Sequence, residues 1–279
     1  MRITDGKVDW RVHYEHICRN LAPVVCGERV LVGVCYQGKD RDLDIASGKT
    51  IWTRGGGAEE LGHPPAVHDG QAFYVARRDL DSVNAAHPPW SWAISEVDCT
   101  TGAVSDNIGL EEGMWASNFS ISLRDGRAIL VGSESHIGTD VGLFDLSKRA
   151  LLWRLHLDHV HVSWNEPVLE GDDLVLSEDG LWVISLSKGV VRFHRDNPFL
   201  GVAPALVKGT LIFQTGSNKL TAVDVGSERV IWEAALPSDI VSDLVRFEGS
   251  VYVRVNGDGL LQISPADGKV VNSFSLGKR

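Results

Sequence analysis

The sequence predicts an all-β chain, a β-propeller of six, at most seven, four-stranded antiparallel blades with an N-terminal strand helping to close the ring. Three observations carry this. A nine-residue phrase occurs seven times with starts at Arg2, Asp44, Asp98, Asp145, Ser185, Asp224 and Ser264, a period of about 40 residues that marks one supersecondary unit stacked repeatedly. Upstream of every phrase but the first lies a pair of short apolar runs around a Gly-containing turn. No stretch of ten residues reads as an amphipathic helix.

The paired runs come first in each unit. They include Pro23-Val-Val-Cys-Gly27-Glu-Arg-Val-Leu-Val-Gly33, Ala66-Val-His-Asp-Gly70-Gln-Ala-Phe-Tyr-Val75 and Val245-Arg-Phe-Glu-Gly249-Ser-Val-Tyr-Val253. Short β-branched and aromatic runs on either side of such a turn are hairpins. A third strand follows, as in Lys219-Leu-Thr-Ala-Val-Asp224 or Gly180-Leu-Trp-Val-Ile-Ser185. The phrase itself supplies the turn into a fourth: Arg2-Ile-Thr-Asp-Gly6-Lys-Val-Asp-Trp10, Asp44-Ile-Ala-Ser-Gly48-Lys-Thr-Ile-Trp52 and Asp224-Val-Gly-Ser-Glu228-Arg-Val-Ile-Trp232 are its strongest copies. Four short antiparallel strands per unit make a propeller blade. Gly48, Gly102, Gly189 and Gly268 stand where the turn needs a positive φ. Trp10, Trp52, Trp153, Phe193 and Trp232 are expected to pack between neighbouring blades rather than to hold a cofactor.

Six upstream hairpins against seven terminal strands leave the N-terminal copy in surplus. A strand from one terminus can complete the blade begun by the other and remove an open sheet edge. The last copy has Asn272 where an aromatic is expected, so the N-terminal strand supplements that blade or belongs to a degenerate seventh; six is favoured. A repeat that runs from end to end predicts one domain over residues 1–279.

The repeat resembles that of the pyrroloquinoline-quinone dehydrogenase propellers, whose units run Pro-hydrophobic-x-x-Gly, then Leu-x-Ala-hydrophobic-Asp, then Thr-Gly-x-x-x-Trp. The likeness covers nearly the whole chain and is strongest over residues 202–232 and 23–52. It implies the fold and says little of function, because sites are grafted on folds. Quinone dehydrogenases carry adjacent cysteines and a Glu/Asn/Asp calcium set; neither is present here, so quinone catalysis is set aside and no cofactor is expected. Outer-membrane assembly lipoproteins of the same repeat class need a lipidated N-terminal cysteine. The first cysteine is Cys18 with no apolar region before it, and that reading is set aside too.

A net charge of −10 disfavours nucleic acid and anionic membrane surfaces, whose phosphates need clustered Lys and Arg, and suits a basic partner. No apolar run approaches the roughly 20 residues that span a bilayer, and residues 1–10 lack a secretory h-region. The expected location is the cytoplasm. Cys18, Cys26, Cys35 and Cys99 show no metal spacing. They are expected as buried free thiols, with Cys26 and Cys35 facing each other across a hairpin and kept reduced.

The strongest metal candidate is the stretch containing His159 and His161, two apart on one strand face, with Asp158 or Glu166 as an oxygen ligand. Two imidazoles fall short of a site, so no metal is expected. No nucleophile elbow, phosphate loop or zinc-protease motif is present.

Departures from the repeat are more informative. The interval from Asp44 to Asp98 exceeds the mean spacing by about 14 residues, mostly between Arg77 and Trp92, and a smaller excess lies around His136. Both insertions fall between the second and third strands of adjacent blades and so emerge on one rim. Arg77, Arg78, His87, Trp90, Trp92 and His136 are the candidate partner-binding residues, combining the types enriched at interface hot spots. The expected function is a non-enzymatic protein-binding propeller, a monomer when unbound, with an immunity role against a basic toxin as its narrower form. The alternative is a hydrolase or lyase at the mouth of the central channel, or a scaffold that senses a sugar or peptide.

Overall fold

The structure, a computed structural model, describes residues 10, 12, 23–32, 40–54, 65–79, 90–110, 118–134, 138–158, 167–177, 180–196, 202–257 and 259–275. These form six four-stranded antiparallel sheets, each with its strands in chain order, and no helix among the described residues. Sheet one contains β1 (Val24–Cys26), β2 (Arg29–Val32), β3 (Asp40–Asp44) and β4 (Thr50–Arg54). Sheet two contains β5 (Ala66–His68), β6 (Gln71–Asp79), β7 (Trp90–Asp98) and β8 (Val104–Gly109); sheet three, β9 (Asn118–Arg124), β10 (Arg127–Glu134), β11 (Gly138–Asp145) and β12 (Ala150–Asp158). Sheet four contains β13 (Val168–Glu170), β14 (Asp173–Ser177), β15 (Leu181–Ser185) and β16 (Val190–Arg195). Sheet five runs β17 (Ala205–Val207), β18 (Thr210–Gly216), β19 (Lys219–Asp224) and β20 (Val230–Ala235); sheet six, β21 (Val245–Phe247), β22 (Ser250–Val255), β23 (Gly259–Ile263) and β24 (Val270–Ser275). These are the six predicted blades of a β-propeller. The chain divides into two compact units, Met1–Leu157 with the first three sheets and Asp158–Arg279 with the last three.

Local chemistry accounts for the turns. Asp69–Gly70, Asp125–Gly126, Lys208–Gly209 and Glu248–Gly249 take positive φ at both residues, the type I′ geometry whose twist matches a two-residue hairpin. In sheets one, two, three and five the turn into the fourth strand is built on an aspartate. Asp98 Oδ1 accepts from the Thr101 amide at 2.7 Å and its hydroxyl at 2.8 Å, and these bonds hold its carboxyl below the usual range. Ser47 does the same for Asp44, and Ser227 for Asp224.

Four residues past the first residue of that turn, Asp98 in sheet two and Ser264 in sheet six, the chain needs a left-handed residue. Gly102 (φ 71°) and Gly268 (φ 70°) meet the need directly. They serve a second purpose: a Cβ on Gly102 would lie 2.7 Å from the Trp52 ring, and one on Gly268 would lie 2.6 Å from Trp232. Each tryptophan therefore stacks on the glycine of the following repeat. Each also donates its indole N–H to a carbonyl three residues before that glycine, Trp52 to Cys99 at 3.2 Å and Trp232 to Pro265 at 2.8 Å. Trp10 docks on Gly48 and Ile45 in the same way.

Where the aromatic is missing or smaller, the glycine is missing too. Sheet two has Asp106 in the aromatic position and sheet four has Phe193; the turns that follow carry Arg149 (φ 54°) and Glu228 (φ 60°). The expected packing role of Trp10, Trp52 and Trp232 stands, with the partner glycine lying in the next repeat.

Within each unit the first strands of successive sheets lie side by side, and apolar faces fill the seams between sheets. Sheets two and three join through Phe73, Val75 and Ile94 against Ile121, Leu130 and Phe144. Sheets five and six join through Ile212, Leu220 and Ala222 against Val251, Val253 and Ile263.

One expectation changes. Cys26 and Cys99 form a disulfide with Cα atoms 6.3 Å apart, so they are not free thiols and Cys26 does not pair with Cys35. The hairpin argument considered only neighbours within one sheet, whereas this bond crosses the seam from β1 to the turn after β7. Cys18 and Cys35 lie outside the described residues. Among the described residues sheet six has four strands, with β24 in the fourth place and Asn272 opposite Gln262. The N-terminal strand expected to help close the ring, residues 2–9, lies outside the described residues.

Candidate functional site

The widened interval of the sequence is a tall hairpin. β6 and β7 pair from Gln71 opposite Asp98 to Asp79 opposite Trp90. β5 accompanies β6 only over Gln71–Phe73, and β8 follows β7 only as far as Ala93 opposite Gly109. Beyond that, among the described residues, positions 77–79 and 90–92 form a two-stranded ribbon standing clear of the sheet. The ribbon sets Arg77 opposite Trp92, Arg78 opposite Ser91 and Asp79 opposite Trp90. Four of the candidate residues, Arg77, Arg78, Trp90 and Trp92, thus share one hairpin; His87 lies outside the described residues.

The second insertion lengthens sheet three. β10 and β11 pair from Arg127 opposite Asp145 to Glu134 opposite Gly138, and β9 accompanies them as far as Asn118 opposite Ser133. His136 lies outside the described residues. Both hairpins join second and third strands of neighbouring sheets in one unit, as the sequence predicts.

Near the tip of this second hairpin a polar cluster replaces apolar packing. Asp140, 4% exposed, accepts from Arg154 Nε at 3.0 Å and Nη2 at 2.8 Å, a two-point grip, and its Oδ1 lies 3.0 Å from His156 Nδ1. A bidentate guanidinium is the strongest partner a buried carboxylate finds among side chains. Gly138 (φ 142°) lets β12 approach: a Cβ there would lie 2.3 Å from the Leu157 carbonyl oxygen. The hairpin is therefore pinned near its tip, and strand pinning is what this cluster does chemically.

An enzyme at the channel mouth requires convergent acids and bases from several sheets. The second unit shows one such meeting. Glu170, at the end of β13, accepts from the Lys208 amide at 3.0 Å and from Arg246 Nη1 of β21. Guanidinium and amide occupy both carboxylate oxygens, an arrangement that ties three first strands together. Among the described residues no three His, Cys, Asp or Glu side chains group to hold a metal. Asp158 ends β12; His159, His161 and Glu166 lie outside the described residues.

Sequence reasoning passed over Asp42. It stands two residues before the turn aspartate of β3, where sheets three, four and five carry Leu143, Val183 and Ala222. Register places it opposite Leu31 and Trp52, on the face that meets Ala72, Tyr74 and Val97 of sheet two. It is 0% exposed, and among the described residues neither carboxylate oxygen has a hydrogen-bond partner. Arg29 Nε is 3.7 Å from Oδ2, and Arg29 Nη1 is 3.9 Å from Asp44. Burial pushes the Asp42 carboxyl up to about 6, against the pull of Arg29. The signal was present in the repeat: an acid where Leu-x-Ala-hydrophobic-Asp asks for a small apolar residue.

Comparison with known proteins follows the same repeat. The family model described as outer membrane protein assembly factor BamB matches residues 137–276. No curated protein matches the chain. The structure is similar to BamB from Moraxella catarrhalis, with a TM-score of 0.68 and 12% identity over 97% of this chain and 78% of that one. It is also similar to a europium-containing methanol dehydrogenase, with a TM-score of 0.65 and 10% identity over 92% of this chain and 68% of that one. At such identities the likeness concerns the fold.

Proposed function

The chain belongs to the family of the outer membrane protein assembly factor BamB, and from that premise we propose that it is a non-enzymatic propeller that binds another protein through the ribbon of sheet two. Membership reverses the exclusion of the outer-membrane assembly proteins. That exclusion rested on a missing lipidated cysteine, whereas the family pattern resides in the repeat.

The observation that carries the proposal is the ribbon of residues 77–79 and 90–92, two strands running past the ends of β5 and β8 with Arg and Trp in paired positions. Long connections on a rigid scaffold are where binding residues concentrate, and Trp and Arg lead among interface hot spots. The pinned hairpin of sheet three stands beside it as the rest of the rim.

A photo-crosslinking residue at position 92, compared with one at Val191 on an outer strand of sheet four, tests this in cells. A discrete adduct from position 92 alone is expected, and its mass identifies the partner; equal labelling from both positions would sink the proposal. An assembly component of the outer membrane is the partner the family suggests. The narrower reading, an immunity protein that blocks a basic toxin, is supported by the net charge of −10. It requires that cells making this chain survive the toxin and that Trp92→Ala cells do not. The unbound protein is proposed to be a monomer, which light scattering checks.

The Cys26–Cys99 bond bears on location. Structural disulfides persist in oxidising compartments, so we place the working protein there in preference to the cytoplasm. Complete alkylation of Cys26 and Cys99 in freshly lysed, acid-quenched cells would overturn this.

A further inference from the structure

The seam between sheets one and two holds three features that no other described seam combines. A disulfide crosses it, with Cys26 and Cys99 each 2% exposed. A carboxylate without hydrogen-bond donors among the described residues, Asp42, is sealed within it. Among the described residues the cation near that carboxylate is Arg29, the register partner of Cys26, which is shared with Asp44. Glu96 and Gln262 hold the equivalent place in sheets two and six, and both keep some solvent contact.

These features act on one another. A buried disulfide is inert to reductants because the attacking group must reach a sulfur. Reduction therefore waits on local opening of the seam, and the frequency of opening follows the free energy of that local unfolding. A buried carboxylate whose charge lacks hydrogen bonds favours the open form, where water solvates it. A protonated one does not. Of the described groups facing Asp42, Arg29 on β2 and Asp44 on β3 are charged, Trp52 on β4 is not titratable, and sheet two presents Tyr74 together with the disulfide. His68, Glu96 and Asp98 alternate to the opposite face of sheet two.

We propose that this seam is a proton-gated redox latch: with Asp42 protonated, sheets one and two stay closed over the Cys26–Cys99 bond, and with Asp42 ionised they open often enough for a dithiol reductant to cleave it. In that step the reductant's two thiols become its own disulfide. Two electrons and two protons pass to Cys26 and Cys99, which become thiols, and the covalent link between the two sheets is lost. The latch is independent of which protein the ribbon binds.

The test is the rate of disulfide reduction in the full chain. Any free thiols are first blocked with iodoacetamide, and Cys26 and Cys99 are followed in their own peptides. The protein is then treated with tris(2-carboxyethyl)phosphine at pH 5 and pH 8, which leaves the phosphine oxide and two thiols. The thiols are trapped with N-ethylmaleimide and counted by mass spectrometry, with oxidised glutathione as the reference for the reagent's own pH dependence. After that correction the wild type is expected to be reduced on the order of ten-fold faster at pH 8 than at pH 5, and Asp42→Ala at nearly equal rates. A ratio near one in the wild type, or the same ratio in both proteins, overturns the proposal. If Asp42→Ala does not fold, Asp42→Asn serves as the uncharged comparison. Amide exchange of β1–β4 in the wild type, corrected for intrinsic rates, must show the same pH-dependent opening.

Discussion

Between sheets five and six, Trp232 stacks on Gly268 above an apolar core in which Ala222 stands opposite the ring. Between sheets one and two, Trp52 stacks on Gly102 in the same way, but Asp42 takes Ala222's place and a disulfide crosses the seam. The indole-on-glycine contact is therefore the constant part of the joint, and the core beneath it is free to vary. One seam is held by area removed from water. The other gives up part of that area to a buried acid and gains a covalent tie.

The comparison can be broken first at its constant part. Trp232→Ala removes a ring 9% exposed and its bond to the Pro265 carbonyl, and is expected to cost about 5 kcal/mol, the upper range for truncating a buried aromatic. Urea unfolding measures it. Trp52, which is only partly buried, should cost less when truncated, and an equal loss at both sites would show that burial does not grade the joint.

Next comes the covalent tie. Cys26 and Cys99 are 73 residues apart, so replacing either with Ser is expected to cost about 4 kcal/mol by loop-closure entropy. The same substitution leaves the seam of sheets five and six as it was. Hydrogen exchange resolved by strand checks both statements: β1–β8 lose protection and β17–β24 keep it.

Asp42 sharpens the contrast through pH. Its carboxyl is raised to about 6, so its contribution is fully present below about pH 4 and is lost as pH rises through 6. Asp42→Ala, which copies Ala222, should therefore stabilise the protein by about 3 kcal/mol at pH 8 and by little at pH 4. The turn aspartates work with the opposite sign. Asp44, Asp98 and Asp224 are held below the usual range, so their contribution is present at neutral pH and lost on acidification. The Asp42→Ala variant should keep that acid limb while losing the decline between pH 4 and 6. Thermal melts across this range decide it.

The smallest effect concerns the turns that lack a docked tryptophan. Glu228 (φ 60°) carries a side chain in a left-handed conformation. Glu228→Gly is expected to stabilise by about 1 kcal/mol, whereas Gly268→Ala, which meets the Trp232 ring at 2.6 Å, should destabilise. If both substitutions have the same sign, the pairing of tryptophan with the next repeat's glycine is not what selects these residues.

Much of this was legible in the chain. The hairpins were marked by pairs such as Asp125–Gly126, because a two-residue turn demands positive φ at both positions. The tall hairpin of sheet two was legible as a widened interval. The tryptophan–glycine pairing was legible too, had the aromatic been compared with the next repeat: Asp106 precedes Arg149 and Phe193 precedes Glu228. The pinning of Asp140 by Arg154 was hidden, because strand spacing does not reveal which charges meet.

Strand order, turn chemistry and the number of sheets follow from the order of residues alone, since alternation, φ preference and hairpin closure act over two to ten neighbours. The pairing of Cys26 with Cys99 and the sealing of Asp42 do not. They arise where the face of one sheet comes down on the next, and no local rule reports which residues, 73 apart in the chain, that contact will bring together.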